Sequence, residues 1–134
     1  MNRIKRLFPL LMSLIFCVAI LMPAAADDWA HVESLEIEDQ VIRGVWASFV
    51  ERLNEGDAEG ALRYHVPENR ETVAELYDIL GDSLKDLPDN WTELLEPEMY
   101  GPYVSYKLMD QSTRLISSVT FLKFPDGQWL IKSM

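Results

Sequence analysis

Val119-Thr-Phe-Leu-Lys-Phe-Pro-Asp-Gly-Gln-Trp-Leu-Ile131 is the stretch that decides the fold. Two runs rich in β-branched and aromatic residues flank Pro125-Asp126-Gly127. Proline presets φ for a turn and glycine accepts a positive φ, so the stretch reads as a β-hairpin. A three-residue loop with a bulge pairs Phe124 with Gln128. Side chains alternate along a strand, so Val119 and Phe121 then share a face with Trp129 and Ile131.

The strand pattern extends outward from this hairpin. Residues 113–124 form its first arm and residues 128–134 its second. Before them, Pro102 to Met109 alternates well, and Trp91 to Glu96 is a weaker strand. Glu98-Met99-Tyr100-Gly101 and Asp110-Gln111-Ser112 are the expected connections. The four strands make an antiparallel meander. Its inner face collects Val104, Tyr106, Leu108, Leu115, Val119, Phe121, Trp129 and Ile131. The opposite face carries Tyr103, Met109, Ile116, Leu122, Phe124, Leu130 and Met134, diluted by Lys107, Arg114 and Lys132. That is apolar for a surface open to water. Ile116, Leu122, Phe124 and Leu130 are therefore the expected contacts of a sheet-to-sheet homodimer or a partner. The alternatives are a register shifted by one residue or a lead-in segment lying over the patch.

Before Asp89-Asn90 the period is helical. Ile37, Val41, Val45, Phe49 and Leu53 recur every four residues, with Ile42, Trp46 and Val50 beside them. This stripe is expected to be buried. Glu36, Glu38 and Asp39 suit a helix N-terminus, and Gly56 suits its left-handed cap. Asp57 can cap a second helix over residues 58–65. Pro67 fits the first turn of a third, whose buried face would be Val73, Leu76, Tyr77 and Leu80. Gly81 closes it, and Leu84, Leu87 and Pro88 suggest one more turn. The chain is an α+β protein, with N-terminal helices packed on an antiparallel sheet.

The segment Trp46-Ala-Ser-Phe-Val-Glu-Arg-Leu-Asn-Glu-Gly-Asp-Ala-Glu-Gly-Ala-Leu62 ends a helix in Gly-Asp and opens a short Ala-x-x-Ala-Leu helix. Together with the closing hairpin and its Trp-x-Ile, it resembles the nuclear transport factor 2-like (SnoaL-like) superfamily over most of residues 37–134. The resemblance implies a cone-shaped, cystatin-like roll, in which a curved sheet wraps a long helix and a pocket opens between them. It also implies frequent dimers. Members usually have a short strand or hairpin between the second and third helices. His65-Val66-Pro67-Glu68-Asn69 leaves little room for one, so a shallow cone is expected.

Residues 1–26 read as a secretory signal peptide. Arg3, Lys5 and Arg6 form its basic start, and Leu10 to Met22 its apolar run. Pro23 then precedes the small-residue cleavage site at Ala24-Ala25-Ala26, with the cut after Ala26. The apolar run is short for a membrane span. Residues 27–36 form a polar lead-in and residues 37–134 the domain. An exported protein follows, periplasmic in the first instance and secreted in the second.

The chain has 134 residues, 49% of them hydrophobic, which is enough for one domain. Its formal charge of −10 argues against a nucleic-acid partner, because that affinity comes from Lys and Arg on phosphates. It also argues against a basic membrane-surface role, and no membrane contact is expected after cleavage. The single Cys lies within the signal segment, so no disulfide and no Cys-based zinc site is expected. Two His and no HExxH, GxSxG or phosphate-loop pattern leave no expected metal and no expected cofactor. The candidate ligand-binding residues are Tyr64, His65, Tyr77, Tyr106 and Trp129, all expected near the cone. His65, at the end of the second helix, is the best placed for acid–base work. None of them matches a catalytic motif of the superfamily. The expected function is a non-catalytic binding or accessory domain. It would take a small apolar ligand in the cone, or a protein partner or second copy on the sheet. The alternative is an isomerase, dehydratase or hydrolase of the same superfamily.

Overall fold

The structure is a computed structural model that describes residues 34–134. The signal segment, the cleavage site at Ala26 and most of the lead-in lie outside the described residues.

Helix α1 runs Leu35–Asn54, with Glu36 and Glu38 in its first turn and Arg52 in its last. These charges complement the helix dipole at each end. The helix stops at Gly56, whose φ of 72° lets the Asp57 N–H reach back to the Arg52 carbonyl at 2.9 Å. Asp57 then caps α2 (Ala58–Leu62) by accepting from the Gly60 N–H at 2.9 Å. Pro67–Asn69 is one 3-10 turn and leads into α3 (Arg70–Leu80). Beyond Gly81 the chain winds as 3-10 turns over Gly81–Asn90, burying Leu84 and Pro88 and leaving Leu87 exposed. No described helix is long and apolar enough to cross a membrane.

The sheet follows as β1 (Leu95–Tyr100), β2 (Tyr103–Met109), β3 (Ile116–Lys123) and β4 (Trp129–Ser133). The strands pair antiparallel in chain order, and the sheet is curved and does not close. The fold is α+β, helices packed against one face of this sheet. The β3–β4 hairpin forms as expected. The Phe124 N–H bonds the Gln128 carbonyl at 2.8 Å, and Gly127 takes a φ of 90°.

The first strand begins later than the sequence suggests. Gly101, at a φ of 57°, turns the chain with Pro102 alone, so Glu98, Met99 and Tyr100 belong to β1. Trp91 lies outside β1 and stacks on Trp46 with ring centroids 5.5 Å apart. Leu115 precedes β3, next to a left-handed Arg114, and is exposed. On α1 the buried residues are Ile42, Trp46, Phe49 and Leu53, whereas Ile37 and Val41 face outward at 68% and 48% exposure. On α3, Tyr77 is buried and Leu76 exposed.

Both sheet edges are closed to further pairing by different means. At β1 the register shifts between Leu95 and Glu98, Glu96 is left-handed at 49°, and Pro97 lacks an N–H. Such an edge resists strand addition. At β4 the connection after α2 takes up the edge. Val66 donates to the Ile131 carbonyl at 3.0 Å, and Ile131 donates to the Tyr64 carbonyl at 2.7 Å. The result is one parallel bridge between His65 and Ile131. Asn69 Nδ2 donates to the Lys132 carbonyl at 2.8 Å, and Lys132 Nζ pairs with Glu68 at 2.5 Å.

This connection corrects the reading of the outer face. Val66 packs against Leu122 and Leu130, with Tyr103 and Phe124 beside them. Leu122 and Leu130 are each only 4% exposed, so the chain itself covers the apolar end of that face. The middle of the face is polar. Ser105 and Thr120 hydroxyls meet at 3.1 Å, and Lys107 pairs with Glu96 at 2.6 Å. Of the expected contact residues, Ile116 is well exposed and Phe124 half-buried.

Candidate functional site

The space between α1 and the sheet is filled by side chains. Phe49, Tyr106, Phe121, Ile42 and Val119 are essentially inaccessible to solvent. Tyr106 meets Phe121 edge-on at 5.8 Å, and Trp46 meets Phe49 at 5.3 Å. Edge and tilted contacts of this kind add to the packing energy of aromatic rings. Three polar clusters are set into this packing.

The first joins α1 to β2. The Tyr106 hydroxyl donates to Asp39 Oδ1 at 2.6 Å, and Arg43 Nε donates to the same carboxylate at 3.0–3.1 Å. Arg43 also donates to the Leu94 carbonyl at 2.8 Å and lies over the Tyr106 ring at 5.4 Å. Burial, reinforced by the adjacent Asp39 carboxylate, pushes the Tyr106 phenol well above its ordinary range.

The second joins α1 to the hairpin. Glu38 accepts from Trp129 Nε1 at 2.8 Å and forms an ion pair with Lys123. Burial alone would raise the Glu38 carboxyl, but the bonds from Lys123 and Trp129 and the lysine charge together hold it below its ordinary value.

The third holds the helical half together. His65 Nε2 and the Tyr77 hydroxyl lie 2.7 Å apart. Each residue is only 5% exposed, and Phe49 meets the imidazole edge-on at 5.3 Å. Burial, helped by the Arg70 charge, lowers the His65 pKa to about 4. Burial raises the Tyr77 phenol. The imidazole is therefore neutral near pH 7. Its expected place at a cone mouth is corrected to an enclosed one, because α3 folds back over it.

The candidate ligand-binding residues separate accordingly. His65, Tyr77 and Tyr106 are enclosed and bonded to protein partners. Tyr64 lines a groove of about 640 Å³ on the outside, between α1, α2 and the β3–β4 hairpin; Trp129 also borders it but is buried and bonded to Glu38. Val41 and Val45 contribute apolar wall, and Arg52, Asp57, Glu59 and Arg63 supply charge of both signs. Glu38, Asp39, Arg43 and Lys123 are the polar residues that sequence reasoning left out of the candidate set. Asp39 and Arg43 stand four apart on α1, the spacing of a helix ion pair, whereas Tyr106, Trp129 and the Glu38–Lys123 pairing are brought together only by the fold. Among the described residues, no buried side-chain nitrogen or oxygen lacks a hydrogen-bond partner. Nor do three or more His, Cys, Asp or Glu of that region cluster so as to hold a metal ion. No protein-family profile matches the chain, and no curated protein or solved structure is significantly similar to it.

Proposed function

We propose that this chain is an exported, non-catalytic binding domain. Its groove between α1, α2 and the hairpin takes a segment of a protein partner. The observation that carries the reading is the contrast between inside and outside. Inside, His65 and Tyr106 are enclosed and satisfied by Tyr77 and Asp39. An acid–base group waiting for substrate stands instead in a cleft with one bonding position open. Outside, Val41 and Val45 present apolar surface between charges of both signs. Mixed charge around an apolar strip suits a polypeptide better than an apolar small molecule. Export is supported by the basic, apolar and Ala-x-Ala segments of residues 1–26. The nuclear transport factor 2-like resemblance is consistent with a binding role and assigns no catalytic residue.

The test is native mass spectrometry on the protein produced through its own export route. The expected subunit mass is that of a chain cut after Ala26. A second mass should accompany it and be lost on denaturation. Val41→Arg, at an exposed position, should abolish that second mass while leaving the fold intact. An unaccompanied chain, or a complex that survives both Val41→Arg and Tyr64→Ala, would overturn the reading.

A further inference from the structure

The connection between α2 and α3 is held on β4 by a set of contacts centred on one imidazole. Tyr64 and Val66 supply the backbone bonds to Ile131. His65, between them, turns inward to the Tyr77 hydroxyl at 2.7 Å. Arg70 Nε donates to the His65 carbonyl at 3.1 Å, so a cation acting on the ring is fixed in place. Phe49 from α1 and Tyr77 from α3 stand against the imidazole, the Arg70 charge acts on it, and Ile131 of β4 pairs with the residue's backbone. Tyr64 is its chain neighbour, and further along the connection Glu68 pairs with Lys132 of β4. None of these places a carboxylate against the ring.

A protonated imidazole in this position would be a buried cation beside a second cation, with a phenol as its bonded neighbour. Among the described residues its charge has no counterion within the enclosure, and such a burial is costly. The relief is local. Swinging residues 64–66 off β4 brings His65 into water without disturbing the β2–β3 pairing.

We propose that the 64–69 connection is an acid-released clamp: protonation of His65 detaches it from β4, opening that strand edge and uncovering Leu122 and Leu130. The open form would then carry an unpaired edge beside apolar side chains, a surface suited to strand addition by a second copy of this chain. The clamp shares Tyr64 and Leu130 with the groove, but its test reads backbone protection and needs no partner in the groove.

The sign follows from the two states. In the open state the imidazole titrates near its ordinary 6.5, and in the closed state at about 4. The open population therefore rises as pH falls through that window, by up to roughly 300-fold over its full width. Above pH 6.5 the clamp is at full strength.

Hydrogen exchange on the full chain, expressed as protection factors between pH 7 and 4, reads this directly. The Val66 and Ile131 amides report the clamp, and amides of the β2–β3 ladder report the whole fold. The expected result is a fall of about two orders of magnitude at Val66 and Ile131, while the β2–β3 amides, which exchange through unfolding of the whole domain, stay better protected than these two at every pH. In His65→Gln the fall should disappear. Protection at Val66 and Ile131 that is flat with pH would overturn the proposal. So would protection at Val66 and Ile131 equal to that of the β2–β3 amides at every pH, which would mean that the connection opens only with the whole fold, or an unaltered fall in His65→Gln. Should that variant not fold, the His65 ring titration in the unmodified protein decides. Its midpoint must coincide with the loss of Ile131 protection, and a separation of the two overturns the proposal.

Discussion

The Tyr106 hydroxyl and the Asp39 carboxylate, 2.6 Å apart, tie the middle of β2 to the first turns of α1. The bond joins residues 67 positions apart and is shared with Arg43. Removing the hydroxyl alone leaves Asp39 with Arg43, so no buried charge is stranded. Tyr106→Phe should cost about 1.5–3 kcal/mol, the range for a hydrogen bond to a charged acceptor. Tyr106→Ala also removes a fully buried ring and should cost about 3–5 kcal/mol. Urea denaturation of both variants checks the difference.

Glu38 gives the fold an acid-sensitive bond. Its folded-state pKa is lowered by Lys123 and Trp129. The stabilisation is therefore fully present above the ordinary value of 4.5 and is lost as pH falls below it toward the lowered one. Glu38→Gln should flatten the dependence of the urea midpoint on pH below about 4.5. His65 acts in a different window, between 6.5 and about 4, so the two contributions separate in one pH series.

Leu122 and Leu130 lie under Val66. Leu122→Ala or Leu130→Ala should cost about 2–4 kcal/mol in stability. Ile116→Ala, at an exposed position of the same face, should stay within about 0.5 kcal/mol. Thermal melts distinguish these outcomes. Equal small effects at all three positions would mean that the outer face is uncovered.

Gly127 sits at a φ of 90° in the β3–β4 turn, a conformation that strains any other side chain. Gly127→Ala should destabilise by about 1 kcal/mol or more. The open space around its Cβ position means that backbone strain alone would be measured. Circular dichroism melts provide the check.

The hairpin and the inner sheet face were legible because a strand repeats every two residues and a Pro-Asp-Gly turn fixes the phase. Val104, Tyr106, Leu108, Val119, Phe121, Trp129 and Ile131 are all buried as expected. The helix stripe was legible only in part. Four residues advance a helix by one turn plus about 40°. Over four such steps the row from Ile37 to Leu53 drifts by roughly 160°. It crosses from the outside at Ile37 to the core at Phe49 and Leu53. Of the polar clusters only the Asp39–Arg43 pair, four apart on α1, was legible. Glu38 and Asp39 read as ordinary acids at a helix start, and nothing local announces that Trp129 and Tyr106 will reach them. His65 read as a helix-end residue because the fold-back of α3 depends on the whole helical half.

Each strand of the sheet pairs with its neighbour in the chain. The bonds between helix and sheet span 67, 85 and 91 residues. Short loop closures cost little entropy and long ones more. The meander can thus assemble early by local steps, with the helical half docking afterwards. Weakening the bonds of Asp39 or Glu38 then changes the rate of unfolding more than the rate of folding. The lifetime of the folded protein is governed by its longest-range contacts.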